Sequence, residues 1–416
     1  MYVIILGIEI TGLPMQRLYN TLIENHFKDD DSMLFLTGPR QVGKTTCTKI
    51  LEGLGTPFHY LNWDHDVHRS LILSGSSEVA KLAKLDEMKE AKTILIFDEL
   101  HKYSRWKQFL KGFYDVYKDR TQIIVTGSAK LNTYKKGGDS LMGRYFSYRV
   151  HPLSVAELLR QNIPLNEISP PSELKKEIFD QLYTFGGFPK PFEKANHPFH
   201  NRWQRLKRQQ LFREDIRDLT KIEDISKIEL LGELLYSQAG ERLNHEKLAK
   251  KMQVANQTIV RWIRVLKSVY YCYTIQPWHK NISRSLLKEP KVYLWDWSLV
   301  KDRGARAENF IANHLHKAVH FWTDTGLGEY KLFYLRTIDK EEVDFLVTKN
   351  DEPWFLVEAK CSSNNSISEH LYKYQAITGA KHAFQVVMDL GYIDRDCFEF
   401  TKPIIVPAIT FLSQLV

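Results

Sequence analysis

Eight residues, Gly38-Pro39-Arg40-Gln41-Val42-Gly43-Lys44-Thr45, carry the glycine, lysine and hydroxyl spacing of a loop that cradles phosphate. Such glycines let backbone N–H groups approach phosphate oxygens, and the start of the following helix adds partial positive charge. In that chemistry Lys44 reaches the β- and γ-phosphates, Thr45 ligates Mg²⁺, and Thr46 completes the nucleotide-contacting set. A second motif stands downstream. The apolar run Thr93-Ile94-Leu95-Ile96-Phe97 delivers Asp98 and Glu99 at its C-terminal end. Asp98 would hold Mg²⁺ and Glu99 would polarise the attacking water; in-line phosphoryl transfer needs positioning and charge neutralisation more than covalent chemistry. A third run, Gln122 to Ser128, ends in polar residues. Ser128 is either a γ-phosphate sensor or part of an ordinary strand-ending turn. Arg144 is either an arginine finger, in cis or from a neighbouring subunit of a homo-oligomer, or a surface arginine.

A separate constellation lies near the C-terminus. Glu308 sits in a helical stretch, Asp344 in an apolar strand, and Glu358 and Lys360 in the next strand across a turn at Asn350 to Pro353. Alternation puts Glu358 and Lys360 on one side. Asp344 and Glu358, with Glu308 added from the helix, could hold Mg²⁺ or Mn²⁺. A lysine beside them, Lys360, could orient water for attack on a phosphodiester. Gln375 could buttress the site. The competing reading is a hairpin with an internal salt bridge, against which stands the expense of unpaired buried charge.

The elements that must position these groups follow from the patterning. Met33 to Leu36 reads as a buried strand before the loop, and Thr46 to Leu54 as the helix after it. Gln16 to His26 reads as a helix, Phe58 to Asn62 as a strand, Leu71 to Lys92 as charged helix broken at Gly75, and Trp106 to Tyr117 as an amphipathic helix. This alternation predicts a parallel sheet with helices on both faces. Tyr148 to His151 reads as a last strand, with Ser154 capping the helix that follows. Gly186-Gly187-Phe188-Pro189 is a tight turn between helices, and Trp203 to Leu219 a basic helix, either a solvated face or a nucleic-acid contact. Asn244 to Met252 and Asn256 to Ser268 resemble a helix-turn-helix, with strands at Tyr270 to Gln276 and Lys291 to Trp295 as its wing. That unit would serve either DNA binding or domain packing. The expected division is 1–163 phosphate-loop domain, 164–225 helical connector, 226–300 winged-helix-like unit and 301–416 C-terminal domain.

Composition narrows the classes. The chain has 416 residues, long enough for several domains. It is 43% hydrophobic and 26% charged, which excludes an intrinsically disordered chain. A net charge of +8 favours an anionic partner, with DNA first. Cys47, Cys272, Cys361 and Cys397 are scattered without metal-site spacing, the pattern of a reduced, cytoplasmic protein without structural metal. No run is long enough to span a membrane. Residues before Met15 read as an upstream extension or a loosely held arm.

The loop from Gly38 to Thr46, together with Phe97-Asp98-Glu99, Thr126-Gly127-Ser128, Gly143-Arg144, Gly186 to Pro189, and Glu341-Val343-Asp344-Phe345 with Val357 to Lys360, resembles a prokaryotic family. Its members are AAA-like P-loop ATPases carrying a C-terminal domain of unknown function numbered 4143. The resemblance implies an ATP-binding core with Mg²⁺, a winged-helix middle, and a C-terminal α/β fold similar to the PD-(D/E)xK nucleases. In that superfamily's pattern a proline precedes the first acid; here Val343 does. The resulting expectation is an ATPase whose nucleotide state controls a nuclease-like, DNA-interacting domain. The alternatives are a nucleotide-dependent DNA-binding switch and a regulatory ATPase that binds protein partners.

Overall fold

The computed structural model describes residues 15–87, 91–127, 141–160, 162–219, 224–279, 289–337, 341–362 and 366–416, with the backbone of a short pairing between 4–5 and 8–9. Ser128 lies outside the described residues.

The first sheet has five parallel strands in the order Phe58–Asn62, Thr93–Asp98, Thr121–Gly127, Met33–Thr37 and Tyr145–Arg149. Its central strands, Met33–Thr37 and Thr93–Asp98, are buried along their whole length. This is the mark of a parallel sheet covered on both faces, and it is why their sequences run apolar without alternation. Helix Trp106–Tyr117 packs on one face with Phe109, Leu110 and Phe113. The other face is covered by helix Leu18–Asp29 and by Cys47 and Leu51 beyond the phosphate loop. Lys44, Thr45, Asp98 and Glu99 come to the carboxyl edge of this sheet.

The second sheet has seven strands in the order Ile404–Pro407, His382–Val387, Glu352–Lys360, Glu342–Lys349, Tyr330–Arg336, Cys272–Pro277 and Lys291–Leu294. The central meander is antiparallel, and Cys272–Pro277 joins it in parallel to Tyr330–Arg336. Helix Arg303–Asp324 covers it, burying Phe310, Ile311, Leu315, Phe321 and Trp322. The helices His245–Met252 and Asn256–Ser268 form as the sequence suggests. Asn244 caps the first, its side chain accepting from the Lys247 N–H at 2.7 Å. The strands expected as a wing, however, are the edge of the seven-stranded sheet. A division at residue 300 therefore cuts through hydrogen-bonded strands. Pairing partners more than fifty residues away in sequence leave no local trace in the sequence.

One apolar cluster runs from Leu18 through Val155, Phe212, Leu231, Trp262 and Trp297 to Val416, so the expected domains share a core. Their junction is tight at Gly187. A Cβ there would meet Trp297 Cη2 at 2.5 Å, the Leu153 carbonyl oxygen at 2.7 Å and Pro152 Cβ at 2.8 Å. Gly187→Ala is expected to destabilise the protein by roughly 1–3 kcal/mol through overpacking, read as a lower midpoint in chemical denaturation.

Candidate functional site: a phosphate loop and a distant acid cluster

The phosphate loop leaves strand Met33–Thr37 through Gly38, at φ 152°, and enters helix Lys44–Lys49 through Gly43, at φ 103°. Both conformations suit glycine. At Gly38 a side chain would also collide with the Val150 carbonyl. Lys44 folds back over the loop and donates to the carbonyls of Gly38 and Pro39, both at 2.8 Å. Burial pulls its ammonium down to about 8, which Glu99 and Asp98 only partly offset. Thr45 donates its hydroxyl to Asp98 Oδ2 at 3.2 Å. Tyr60 and Thr126 donate to the same carboxylate, one to each oxygen. Asp98 is thus aimed by the strands on both sides of it. Glu99 follows in the left-handed region at φ 55°, its N–H bonded to the Thr126 carbonyl at 3.0 Å. That turn points its carboxylate toward Lys102 and His101, at 3.7 and 3.6 Å. Burial raises its proton affinity. The adjacent hydroxyl and carboxylate of Thr45 and Asp98 fit Mg²⁺ by donor type.

Two residues of the loop reach outward. Arg40 pairs with Asp215 at 2.8 Å and with Glu214 at 3.5 Å, and Gln41 donates to Gln210 at 3.3 Å. These partners lie where the helix beginning at His197 widens into one π-type turn, Leu211–Asp215. Val42 is held from below. Its carbonyl accepts from Arg17 Nη1 at 2.5 Å. Arg17 in turn binds Glu157 through Nε at 2.6 Å and the His151 carbonyl through Nη2 at 2.8 Å. Glu157 also accepts from Lys317, on helix Arg303–Asp324. Arg17, Glu157 and Lys317 are almost wholly buried. Burial would push the Glu157 carboxyl up, but the two cations overcome it and hold it at about 2. Burial pulls Lys317 down to about 8.

Arg144 is not at this edge. It precedes strand Tyr145–Arg149, whose first residue pairs with Met33, the first residue of the loop's own strand. It makes a two-pronged ion pair with Asp115, at 2.7 and 3.1 Å. The cis-finger reading is thereby corrected: parallel strands set Arg144 at the amino edge, opposite the phosphate loop, and only a second copy could bring it to a nucleotide.

The C-terminal acids do meet. Asp344 accepts from the Ala359 N–H at 2.9 Å, and Glu358 pairs with Lys360 at 2.8 Å. The sequence reading missed Lys291, Tyr293 and Glu342. Lys291, on the edge strand, binds Glu342 at 2.5 Å, Glu308 at 2.9 Å and Asp344 at 3.4 Å. Tyr293 donates to Glu308 at 2.7 Å. Burial, then the neighbouring Asp344, lifts both Glu308 and Glu358 to about 7. Gln375 is elsewhere, donating to the carbonyls of Ala380 and Thr401 at 3.1 and 2.7 Å. Oxygen donors are the right type for Mg²⁺ or Mn²⁺, but the arrangement does not fit one. Among the described residues no group of three or more His, Cys, Asp or Glu side chains is arranged to hold a metal ion. An ammonium stands in the middle of these acids instead. Beside them an open cavity of about 450 Å³ is lined by Arg242, Lys247, Arg336, Glu342 and Lys291.

A parallel sheet, a glycine loop at its carboxyl edge and an aimed aspartate on the adjoining strand end define a P-loop nucleotide fold. Residues 30–159 match the AAA domain family, which makes this part an AAA-like P-loop ATPase domain. Residues 176–305 match a domain of unknown function, DUF8612, and residues 303–399 another, DUF4143. An uncharacterized protein of Mycobacterium tuberculosis is 22% identical over 354 residues, 82% of this chain and 72% of that one. An uncharacterized protein of Haemophilus influenzae is 21% identical over 380 residues, 85% and 90% of the two chains. Among solved structures, a Walker-type ATPase of Pyrococcus abyssi has a TM-score of 0.41 at 16% identity, covering 68% of this chain and 93% of that one. AMPPCP-bound DnaA from Aquifex aeolicus has a TM-score of 0.30 at 15% identity, covering 59% and 86%. Among the described residues no helix is long and apolar enough to cross a membrane.

Proposed function

We propose that the protein binds and hydrolyses ATP with Mg²⁺ at the phosphate loop, and that its nucleotide state controls a C-terminal nuclease-like domain that engages DNA. The observation that carries the control is the buried chain from the Val42 carbonyl through Arg17 and Glu157 to Lys317. Lys317 and Glu308 lie on one helix, which offers a shift of the loop around phosphate a route to the acid cluster. In the ATP site Lys44 would neutralise phosphate charge, Thr45 and Asp98 would hold the ion, and Glu99 would orient water. At the C-terminal site Asp344, Glu358 and Lys360 share one end of a hairpin. The cavity beside them supplies Arg242, Lys247 and Arg336, cations suited to phosphate contacts. The chain's basic charge agrees with an anionic partner.

The test is incubation of the protein with single-stranded, double-stranded and branched DNA, with Mg²⁺ or Mn²⁺, with and without ATP. Cleavage lost in Asp344→Ala and altered by ATP is expected. Salt-sensitive DNA binding without cleavage would favour a nucleotide-dependent binding switch, since counterion release makes such binding fall steeply with salt. Neither result would leave only the ATPase. At the first site Glu99→Gln is expected to bind ATP normally and to hydrolyse it about a hundredfold more slowly or worse, measured by phosphate release beside a binding titration.

A further inference from the structure

The acid cluster of the C-terminal sheet is built around a cation that the chain itself supplies. Lys291 reaches three carboxylates, at 2.5, 2.9 and 3.4 Å, from a position only 4% exposed at its side chain. Removing an ammonium from water is costly unless acids surround it, and here they do. Tyr293 fixes Glu308 in the same arrangement. A second observation shows that Lys291 and Lys360 do not satisfy every oxygen of the cluster. Glu358 is 7% exposed, and among the described residues its Oε2 has no hydrogen-bond partner. A buried carboxylate oxygen left unpaired is expensive, and it stands beside acids already committed to Lys291. Lys291 lies on the outermost strand of the sheet, which pairs with Cys272–Pro277 on one side and is bridged to Arg242 on the other. Its side chain lines the open cavity and can withdraw into it with both backbone pairings kept.

We propose that Lys291 is a built-in counter-cation that keeps divalent metal out of the C-terminal acid cluster, so that metal enters only when Lys291 leaves. Both cations want the same oxygens, and an ammonium among them repels a doubly charged ion strongly at the dielectric of a half-buried site. The proposal rests on the nuclease-like reading only in taking these acids as that domain's working groups.

The experiment is a Mn²⁺ titration of the intact protein without nucleotide, following free Mn²⁺ by electron paramagnetic resonance. The chains compared are the wild type, Lys291→Met, and Lys291→Met combined with Glu342→Gln, each with and without Asp344→Asn. Lys291→Met is expected to bind Mn²⁺ at an Asp344-dependent site about a hundredfold more tightly than the wild type. The double variant removes one carboxylate along with the ammonium, and it carries the test if the single variant does not fold. A wild type that binds Mn²⁺ through Asp344 as tightly as the variants overturns the proposal, as does a folded variant that gains no site. DNA separates this from the reading above. A gained Mn²⁺ site with no cleavage of any DNA form keeps the counter-cation and overturns the nuclease. Cleavage by the wild type at a tight, Asp344-dependent Mn²⁺ site does the reverse.

Discussion

Lys44→Ala is expected to lower ATP turnover by on the order of 10³-fold, in line with the loss of one preorganised donor to developing charge. The ammonium is already inside the loop, bonded to the carbonyls of Gly38 and Pro39, and phosphate oxygens would replace those carbonyls as its partners. The fold should survive the change, because Lys44 bridges only residues of its own loop. A thermal midpoint near that of the wild type, together with lost turnover, is the expected pair of results. Acidity gives a second reading of the same residue. Burial sets the free ammonium at about 8, and a bound phosphate would raise it. Binding then takes up a proton above pH 8, so affinity for an ATP analogue should fall as pH rises past that point and change little below it. A flat affinity from pH 7 to 10 would show that Lys44 does not meet the phosphates.

Glu157→Ala is expected to be the most destabilising single change in the molecule, at about 3–5 kcal/mol, because it leaves two buried cations without their acid. Replacing Arg17, Glu157 and Lys317 together by Met, Leu and Met should cost much less, since no buried charge is left unpaired. That triple variant should still fold while losing any effect of ATP on the C-terminal site, a combination that separates a relay from a mere structural tie. The sign of the pH effect follows from the carboxyl being held at about 2 in the fold against 4.5 unfolded. Its contribution is complete above about pH 4.5 and is lost as pH falls toward 2, amounting to about 3 kcal/mol over that window. Denaturation midpoints measured from pH 6 to pH 2 should show a shallower acid decline in the triple variant.

The nucleotide site was legible because its chemistry is local. Gly38 to Thr45 is one contiguous loop, and Asp98-Glu99 ends a strand whose apolar run announces it. What sequence alone could not give was the second ring of partners. Tyr60 and Thr126 aim Asp98 from neighbouring strands, and Arg17 holds Val42 from a helix that precedes the loop. These contacts are set by strand order, which alternation does not encode. Arg144 went astray for the same reason: its proximity to the motifs in sequence hides the fact that it sits at the other end of a strand. The acid cluster was half legible. Asp344, Glu358 and Lys360 share a hairpin and so betray one another, whereas Lys291 comes from 53 residues before Asp344, on a strand with no motif of its own. Its one available signal was a charged residue opening an otherwise apolar strand, Lys291-Val292-Tyr293-Leu294.

The parallel pairing of Cys272–Pro277 with Tyr330–Arg336 bears on how this chain can be inherited and taken apart. The two matched segments of unknown function meet near residue 303, yet a single sheet crosses that point. A gene truncated there would express a half-sheet with the backbone groups of Tyr330–Arg336 bare on one side, a ready template for aggregation. It would also leave Glu308, Glu342 and Asp344 without Lys291. Recombination that exchanges the C-terminal part between relatives should succeed only when the preceding hairpin travels with it.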